Sequence, residues 1–267
     1  MYKKIGFIGC GKMAKAIIKG VLGVNFVKNA DIITSKFSSD NIEELSNELG
    51  VRIITNNNEV VNSSDVIVLA VKPSQVEDIL NEIKDNVQNK LIVSVAAGIT
   101  TGFIEKILFN SARVIRVMPN TPVLVGEGMI GVCSGQNVQE EDSIFIKKMF
   151  STIGKCIVVQ ESQMDIVTAI SGSGPAFFYK IINDIALAGE KLGLDYNDSI
   201  LLSIQTAIGS AKMALNRDIS MQELISNVAT KGGCTRVGVD VMEDKNIDKI
   251  LYDVIKSTTE KAHNLGK

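Results

Sequence analysis

The amino-acid sequence predicts an α/β protein in which a doubly wound parallel sheet comes first and an all-helical part follows. Three observations support this prediction. A glycine-rich turn joins an apolar strand to a helix at the start of the chain, short apolar runs then alternate with helical patterns, and strand patterns vanish from about Asp165 onward. We therefore predict two domains, with residues 1–162 forming the sheet and residues 163–267 forming the helices.

Composition restricts the classes of function. The chain has 267 residues, 45% of them hydrophobic, and its 28 basic and 30 acidic residues give a formal net charge of −2. That balance offers no positive field for nucleic acid or a membrane surface, so we expect neither as a partner. The 4 cysteines are scattered without a C-x-x-C pair and the chain has 1 histidine, so we expect no metal site. No apolar run reaches the ~18 residues of a spanning helix, and we expect a cytoplasmic protein.

The first turn has the spacing of a dinucleotide cradle, which predicts a Rossmann-type domain. An apolar strand at residues 5–8 leads into Gly9 and Gly11, and Ala14 stands where a third glycine is common. The first glycine permits the bend, the second lets the backbone approach a pyrophosphate, and the helix N–H groups face the phosphates. The same spacing also occurs in tight connections without a ligand, but the flanking strand and helix favour a cofactor. The residues that we assign to this cradle are Gly9, Gly11, Lys12 and Met13.

The end of the second strand indicates which cofactor is used. This strand covers residues 31–34 and is followed by Ser35 and Lys36, whereas an acidic residue that binds the ribose of NAD is missing there. A cation and hydroxyl donors suit the 2′-phosphate of NADP, and a charge-assisted hydrogen bond contributes ~1.5–3 kcal/mol. We therefore expect NADPH, with NADH as the alternative; a solvated loop is the other interpretation of these residues.

The remaining elements of the sheet domain follow in regular alternation. The unbroken apolar run of residues 66–71 is typical of a parallel strand buried on both faces, and its carboxyl end brings Lys72 to the edge where such sheets bind ligands. We predict strands at residues 51–54, 66–71, 91–95, 113–118, 129–133 and 155–159, and helices at residues 42–49, 74–83, 100–108 and 140–150.

The C-terminal part contains long helices that are apolar over more than one face. We predict them at residues 176–192 and 199–215, and about 100 residues cannot easily bury such helices alone. An obligate homodimer is the favoured interpretation, and a self-contained bundle is the alternative. A second glycine-rich turn, residues 229–236, opens another helix whose backbone N–H groups can bind a carboxylate.

Six motifs together resemble the pyrroline-5-carboxylate reductase family, over essentially the whole chain. The most specific is the last, and the order and spacing of all six carry the resemblance. They are IGFIGCGKMA at the start, AVKP at 70–73, SVAAGIT at 94–100, RVMPNTP at 116–122, TAISGSGPAFF at 168–178 and VATKGGCTRVGVDVME at 228–243.

The resemblance implies reduction of 1-pyrroline-5-carboxylate to L-proline with a nicotinamide cofactor. It implies that Ser35 and Lys36 meet the adenosine phosphate and that Asn57 meets the cofactor ribose. It also implies an intertwined helical dimer, sometimes assembled into larger rings, in which one subunit's substrate loop completes its partner's site. The remaining residues that we assign to the dinucleotide are Ala70, Lys72, Pro73 and Ala97.

The resemblance places the substrate on the second glycine-rich turn. Backbone amides at Gly233 and Cys234 would hold the carboxylate, and the Thr235 hydroxyl would bond the ring nitrogen. We expect a methyl group at Gly233 to strain the turn. Thr235 is then an orienting group and proton relay, and Lys72 supplies positive field or organises water. The substrate-binding set is Gly232, Gly233, Cys234 and Thr235.

Two departures leave other functions open. The family usually has proline before the two glycines and often threonine after them, where this chain has Lys231 and Cys234. These are either harmless variants or signs of a relative acting on another cyclic imino acid. A 3-hydroxyacid dehydrogenase would need a catalytic lysine in its helical domain, where Lys180 and Lys191 stand in no recognisable motif. A non-catalytic NADP-sensing protein would have no use for the second glycine-rich turn.

Overall fold

A computed structural model describes residues 4–109, 111–215 and 218–265. The strands are β1 (Ile5–Ile8), β2 (Ile32–Ser35), β3 (Arg52–Ile54), β4 (Val66–Leu69), β5 (Leu91–Ser94), β6 (Arg113–Met118), β7 (Gly128–Ser134) and β8 (Gly154–Val158). The helices are α1 (Lys12–Gly23), α2 (Ile42–Leu49), α3 (Asn57–Asn62), α4 (Pro73–Ile83), α5 (Thr101–Ile107), α6 (Glu140–Ser151), α7 (Met164–Val167), α8 (Gly174–Lys191), α9 (Tyr196–Ala214), α10 (Met221–Val228), α11 (Cys234–Asp244) and α12 (Ile247–Asn264).

The strands form one sheet of 8 in the order β3-β2-β1-β4-β5-β6-β7-β8. Strands β1 to β6 run parallel, β7 is antiparallel to β6, and β8 is parallel to β7. The strand order reverses direction between β1 and β4, and open parallel sheets bind ligands in the crevice at that switch point. The predicted Rossmann-type sheet is therefore confirmed, and the switch point defines where to look for a ligand.

Both faces of the central strands are buried, as their continuous apolar runs predict. Successive side chains of a strand point to opposite faces. Accordingly Ile5 and Phe7 of β1 belong to one hydrophobic core, and Ile8 belongs to the other. Strand β4 divides in the same way, with Val68 in the first core and Leu69 in the second. Because β1 and β4 pair in parallel with Ile8 opposite Leu69, their carboxyl ends lie next to each other.

The chain divides into two compact units. The first runs to Ser173 and also contains the chain from Ser257, and the second is Gly174–Lys256. In the second unit Gly189 of α8 faces α9, because a Cβ on it would lie 2.6 Å from the hydroxyl oxygen of Ser199. A glycine there lets the two helix backbones approach closely. Across the part of the chain that the structure describes, no helix is both long and apolar enough to cross a membrane.

Several elements differ from the sequence-based expectation. No helix was predicted between residues 55 and 65, yet α3 forms there, and the side chain of its N-cap residue Asn56 accepts a hydrogen bond of 3.0 Å from the Glu59 amide. The TAISG segment before α8 is a π-helical turn at Thr168–Gly172. The reversal of β7 was not encoded in any pattern that we could identify, because an apolar strand has the same period in either direction.

Candidate active site

The turn between β1 and α1 approaches β4 closely at Gly9. This glycine has a φ of +97°, and a Cβ on it would lie 2.7 Å from both the carbonyl oxygen of Ala70 and Cγ1 of Val71. Only glycine adopts such a conformation at low cost. The fold itself therefore requires glycine at position 9, because only glycine lets the turn pack against the end of β4.

Gly11 is different, because a Cβ on it would meet no atom within 4 Å. It is the N-cap of α1, has an extended backbone conformation and makes no side-chain capping bond, and the first turn of α1 contains no acidic residue. The first N–H groups of a helix lack intrahelical partners and carry partial positive charge. The open space and the uncapped amides fit an anionic pyrophosphate, so the residues of this turn fit a bound dinucleotide.

A hydrogen-bonded chain lies at the carboxyl end of β2. The Gly9 amide lies 3.4 Å from the Ser35 hydroxyl oxygen, and that hydroxyl donates to Oδ1 of Asn57 over 2.6 Å. Asn57 in turn donates from Nδ2 to a carboxylate oxygen of Glu82 over 2.9 Å. Ser35 is 2% exposed and its hydroxyl positions Asn57, while its expected contact with the phosphate stays a prediction.

Lys36 lies beside this chain and is held by its own loop. Its ammonium group donates to the Ser38 hydroxyl over 3.3 Å and to the backbone carbonyl of Asp40. An ammonium has three donors, so one remains for a ligand. Of the cation and hydroxyls expected to meet a 2′-phosphate, Lys36 is the group that this geometry favours.

These elements enclose a cleft of about 640 Å³, which is within the range of small-molecule sites. Of the residues predicted to bind the cofactor, its lining contains Gly9, Gly11, Ser35, Lys36, Asn57, Ala70 and Lys72. The predicted residues outside that lining are Lys12, Met13, Pro73 and Ala97. Lys12 and Met13 open α1 and Pro73 opens α4, so these three still flank the cleft in sequence.

One wall of the cleft, a face of α4, was not predicted from the sequence. Gln75, Asp78, Ile79 and Glu82 all line it. Their spacing of three and four residues puts them on one side of a helix. That spacing was visible in the sequence, but only the structure shows that this face looks into the cleft. The other residues missed are Ile8, Cys10, Phe37, Thr55 and Val71.

Cys10 adds a thiol to the cleft. Burial is the main cause that raises its pKa above the ordinary value, and the nearby Lys15 ammonium lowers it by less. The thiol is therefore protonated at neutral pH and adds no charge next to a phosphate.

Lys72 is the N-cap of α4, and its amide donates to Oε1 of Gln75 over 3.3 Å.

The second glycine-rich turn opens α11. Gly232 has a φ of +78°, whereas Gly233 has a φ of −82° and is the N-cap of α11, with no side-chain capping bond. The positive φ makes Gly232 the position whose backbone conformation favours glycine, and the strain expected from a methyl group at Gly233 stays a prediction. A Cβ at Gly233 would still lie 3.0 Å from the Thr230 hydroxyl oxygen. The turn leaves the first amides of α11, those of Cys234 and Thr235, available to an anion.

Two cations, Lys231 and Arg236, lie in or beside this turn and differ in their surroundings. Arg236 donates to Asp240 over 2.7 Å and to Glu243 over 2.8 Å, all on α11, and these bonds to Asp240 and Glu243 raise its pKa. The Arg236 charge is thus paired with acidic residues of its own helix. Lys231 is exposed in the turn itself. Thr235 is half-buried and lines an apolar recess of about 350 Å³ that includes Met213.

Residues of the RVMPNTP and TAISGSGPAFF motifs stabilise the first unit. Arg116 is 2% exposed and forms ion pairs of 2.5 Å with Glu161 and 3.4 Å with Asp165. Glu161 also accepts hydrogen bonds from the amide and the hydroxyl of Thr101, over 2.9 and 2.7 Å. Asn120 donates to the Ser171 carbonyl over 3.1 Å. These bonds join segments that are 45 to 60 residues apart in sequence.

The dehydrogenase alternative depended on a lysine in the helical part. Lys180 forms an ion pair of 2.6 Å with Asp184 one turn along α8, and its side chain is 72% exposed. Lys191 is exposed in the last turn of the same helix. Both side chains are exposed, so neither lysine has the buried setting expected of a catalytic lysine. Within residues 4–109, 111–215 and 218–265, no three histidine, cysteine or acidic side chains are grouped as metal ligands.

Comparison with known proteins shows which family the chain resembles. The family model described as pyrroline-5-carboxylate reductase dimerisation matches residues 161–265, and the model described as NADP oxidoreductase coenzyme F420-dependent matches residues 4–98. A pyrroline-5-carboxylate reductase of Methanosarcina acetivorans is 35% identical over 99% of this chain and 98% of its own length.

Solved structures give the same result. The Plasmodium falciparum pyrroline carboxylate reductase with NADP bound superposes with a TM-score of 0.90 at 33% identity, over 99% of this chain and 98% of that one. A Coxiella burnetii pyrroline-5-carboxylate reductase has a TM-score of 0.92 at 32% identity, over 99% of both chains. The similarity spans both units and both glycine-rich turns, and the chain therefore belongs to the pyrroline-5-carboxylate reductase family.

Proposed function

We propose that the cleft at the β1–β4 switch point binds NADPH and that the turn before α11 binds the substrate. The chain is an NADP(H)-dependent oxidoreductase acting on a C=N bond, and it reduces 1-pyrroline-5-carboxylate to L-proline. The observation that carries the site assignment is that two glycine-rich turns each open an uncapped helix. One helix terminus suits a pyrophosphate, and the other suits a carboxylate.

NADPH, when bound, supplies the hydride, and the chain binds, orients and shields the reactants. The amides at the start of α1 hold the pyrophosphate, with Gly11 giving the space. Lys36 binds the 2′-phosphate, and Asn57, oriented by Ser35 and Glu82, meets the ribose. Lys72 offsets the negative charge that Asp78 and Glu82 bring to the cleft.

On the second turn the amides of Cys234 and Thr235 bind the substrate carboxylate. The Gly233 amide, expected from the sequence to take part, already donates to the Thr230 carbonyl over 3.0 Å. The Thr235 hydroxyl bonds the ring nitrogen while the imine becomes an amine, which makes Thr235 the orienting group for that nitrogen. Lys231 adds a positive charge to the turn, which favours an anionic substrate. Because Gly232 alone adopts the positive φ, it sets the direction in which these amides point.

The experiment that tests this function is a panel of cyclic imino acids with five- and six-membered rings, with NADPH oxidation followed in purified protein. We expect the five-membered 1-pyrroline-5-carboxylate to give the highest kcat/KM and to yield proline. A six-membered ring used with higher kcat/KM would instead mean that Lys231 and Cys234 mark a relative with another substrate. Binding of NADPH without turnover of any member would favour a cofactor-sensing protein.

The chain forms a homo-oligomer through its helical part. We infer that the basic unit is a homodimer of helical domains spanning residues 163–267, which can assemble further into rings. Its support is the set of large apolar residues more than half exposed in the single chain, among them Phe178, Tyr179, Leu201 and Leu202. Light scattering should give a multiple of twice the 28.8 kDa chain mass, and a monomer at micromolar concentration would refute this. We also infer a cytoplasmic location, which fractionation of cells would test.

A further inference from the structure

Phe37 is the most unusual residue of the proposed cofactor cleft. Its exposed fraction is 99%, and it lines the cleft directly after Lys36. Single exposed apolar residues are common on protein surfaces and usually need no explanation. Here the aromatic ring stands at the wall of a binding cleft, next in sequence to the proposed phosphate-binding cation. That position makes a ligand contact worth testing.

The loop around Phe37 is closed by hydrogen bonds that do not involve its ring. Lys36 donates to the Ser38 hydroxyl over 3.3 Å, and that hydroxyl donates to a carboxylate oxygen of Asp40 over 2.8 Å. The Asp40 amide also lies 3.3 Å from the Ser38 hydroxyl oxygen. Polar bonds on both sides of Phe37 therefore hold residues 36–40 together, and the ring contributes almost nothing to the packing of the fold.

We propose that the Phe37 ring is a stacking platform for the adenine of NADPH. The adenine and the 2′-phosphate are attached to the same ribose, so a cation and an aromatic ring on adjacent residues can bind both. Stacking on an aromatic side chain tolerates the flat face of any base and does not require a hydrogen-bond partner. The proposal deepens the proposed function, on which it rests, by assigning the adenine end of the cleft.

The test measures binding of separate halves of the cofactor. Calorimetric titrations of Phe37→Ala, Phe37→Leu and Phe37→Trp would use NADPH, 2′,5′-ADP and nicotinamide mononucleotide. We expect Phe37→Ala to weaken NADPH and 2′,5′-ADP by about five- to 150-fold, the range for the loss of one stacked base. Binding of the mononucleotide should not change. Phe37→Leu keeps an apolar side chain without a π face and should stay weak, whereas Phe37→Trp should restore binding.

A spectroscopic signal tests the same contact directly. The chain contains no tryptophan. Phe37→Trp therefore introduces a single fluorophore, whose emission should be quenched by 2′,5′-ADP and not by nicotinamide mononucleotide. A matched control is Phe109→Ala, which removes an exposed phenylalanine (60%) outside the cleft and should leave all three affinities unchanged. Thermal unfolding of Phe37→Ala without ligand should match the parent, because the ring is exposed.

Four results would contradict a stacking role for Phe37. The proposal is overturned if Phe37→Ala binds 2′,5′-ADP as the parent does, or if the Phe37→Trp emission does not respond to that ligand. A shift to smaller oligomers with unchanged affinity would assign the ring to a contact between chains and would also overturn it. If the parent itself binds neither NADPH nor 2′,5′-ADP, the cofactor cleft of the proposed function fails, and this inference fails with it.

Discussion

We expect alanine at Gly9 and at Gly11 to damage the protein in two different ways. Both glycines belong to the turn between β1 and α1, yet their surroundings differ. A Cβ at Gly9 would lie 2.7 Å from a backbone carbonyl oxygen, whereas a Cβ at Gly11 would meet nothing within 4 Å. Gly9→Ala should therefore destabilise the fold, and Gly11→Ala should mainly impair NADPH binding.

The size of the Gly9 effect has two parts. A non-glycine residue at a positive φ costs about 1–2 kcal/mol. Overpacking against a backbone atom that cannot rotate away costs about 1–3 kcal/mol more. The sum, about 2–5 kcal/mol, should lower the apparent Tm by about 4–20 °C at ~2–4 °C per kcal/mol.

The Gly11 effect is mainly on the ligand. Alanine is a poorer N-cap than glycine, which costs up to about 1 kcal/mol of stability. Its methyl group would fill the space over which the pyrophosphate meets the amides of α1. The loss of one charge-assisted hydrogen bond, about 1.5–3 kcal/mol, weakens binding by about ten- to 150-fold.

The assays are thermal unfolding without nucleotide and a fluorescence titration with NADPH. Gly23→Ala is the matched control, since Gly23 lies on the same helix with open space around it and should leave both measurements almost unchanged. Parent-like NADPH affinity in Gly11→Ala would show that the pyrophosphate does not lie against this backbone. A parent-like Tm in Gly9→Ala would refute the packing argument.

Three further predictions follow from other parts of the chain. Thr235→Ala should lower turnover of the imine by about five- to 150-fold, the loss of one hydrogen bond, while the Kd for NADPH stays unchanged; turnover at the parent rate would remove Thr235 from the site. Arg116→Met should lower the free energy of unfolding by about 3–5 kcal/mol because it leaves carboxylates without their buried cation, whereas Arg52→Met, which breaks an exposed ion pair, should cost at most about 1 kcal/mol in the same urea titration. Burial is the main cause that raises the pKa of Cys133 to about 11, so iodoacetamide should label exposed Cys234 first at neutral pH, and equal labelling would contradict the assignment. The Cys133 thiol has a higher pKa in the folded protein than in the unfolded chain, where it is about 8.5–9. Its contribution to the free energy of unfolding is therefore complete below pH 8.5–9 and is lost as the pH rises toward 11.

The sequence by itself determined most of the elements and the family. The strand before Gly9, the helix after Gly11 and the run of residues 66–71 are local patterns, and their period and end signals depend on neighbours within a few residues. The order of the six motifs was also readable without coordinates, and both glycine-rich turns open helices as expected. Local chemistry was therefore enough to predict the sheet domain, the helical part and the enzyme family.

Only the tertiary structure decided how distant residues combine. The sequence placed Ser35 at the end of a strand, and only the structure shows that its buried hydroxyl donates to Asn57, a residue 22 positions away. The face of α4 that carries Glu82 has an ordinary helical spacing, and nothing local shows that it lines the cleft. Arg116 likewise finds Glu161 45 positions later. Hydrogen bonds and burial between such residues depend on how sheet and helices pack, and the packing is set by the whole chain and not by any one motif.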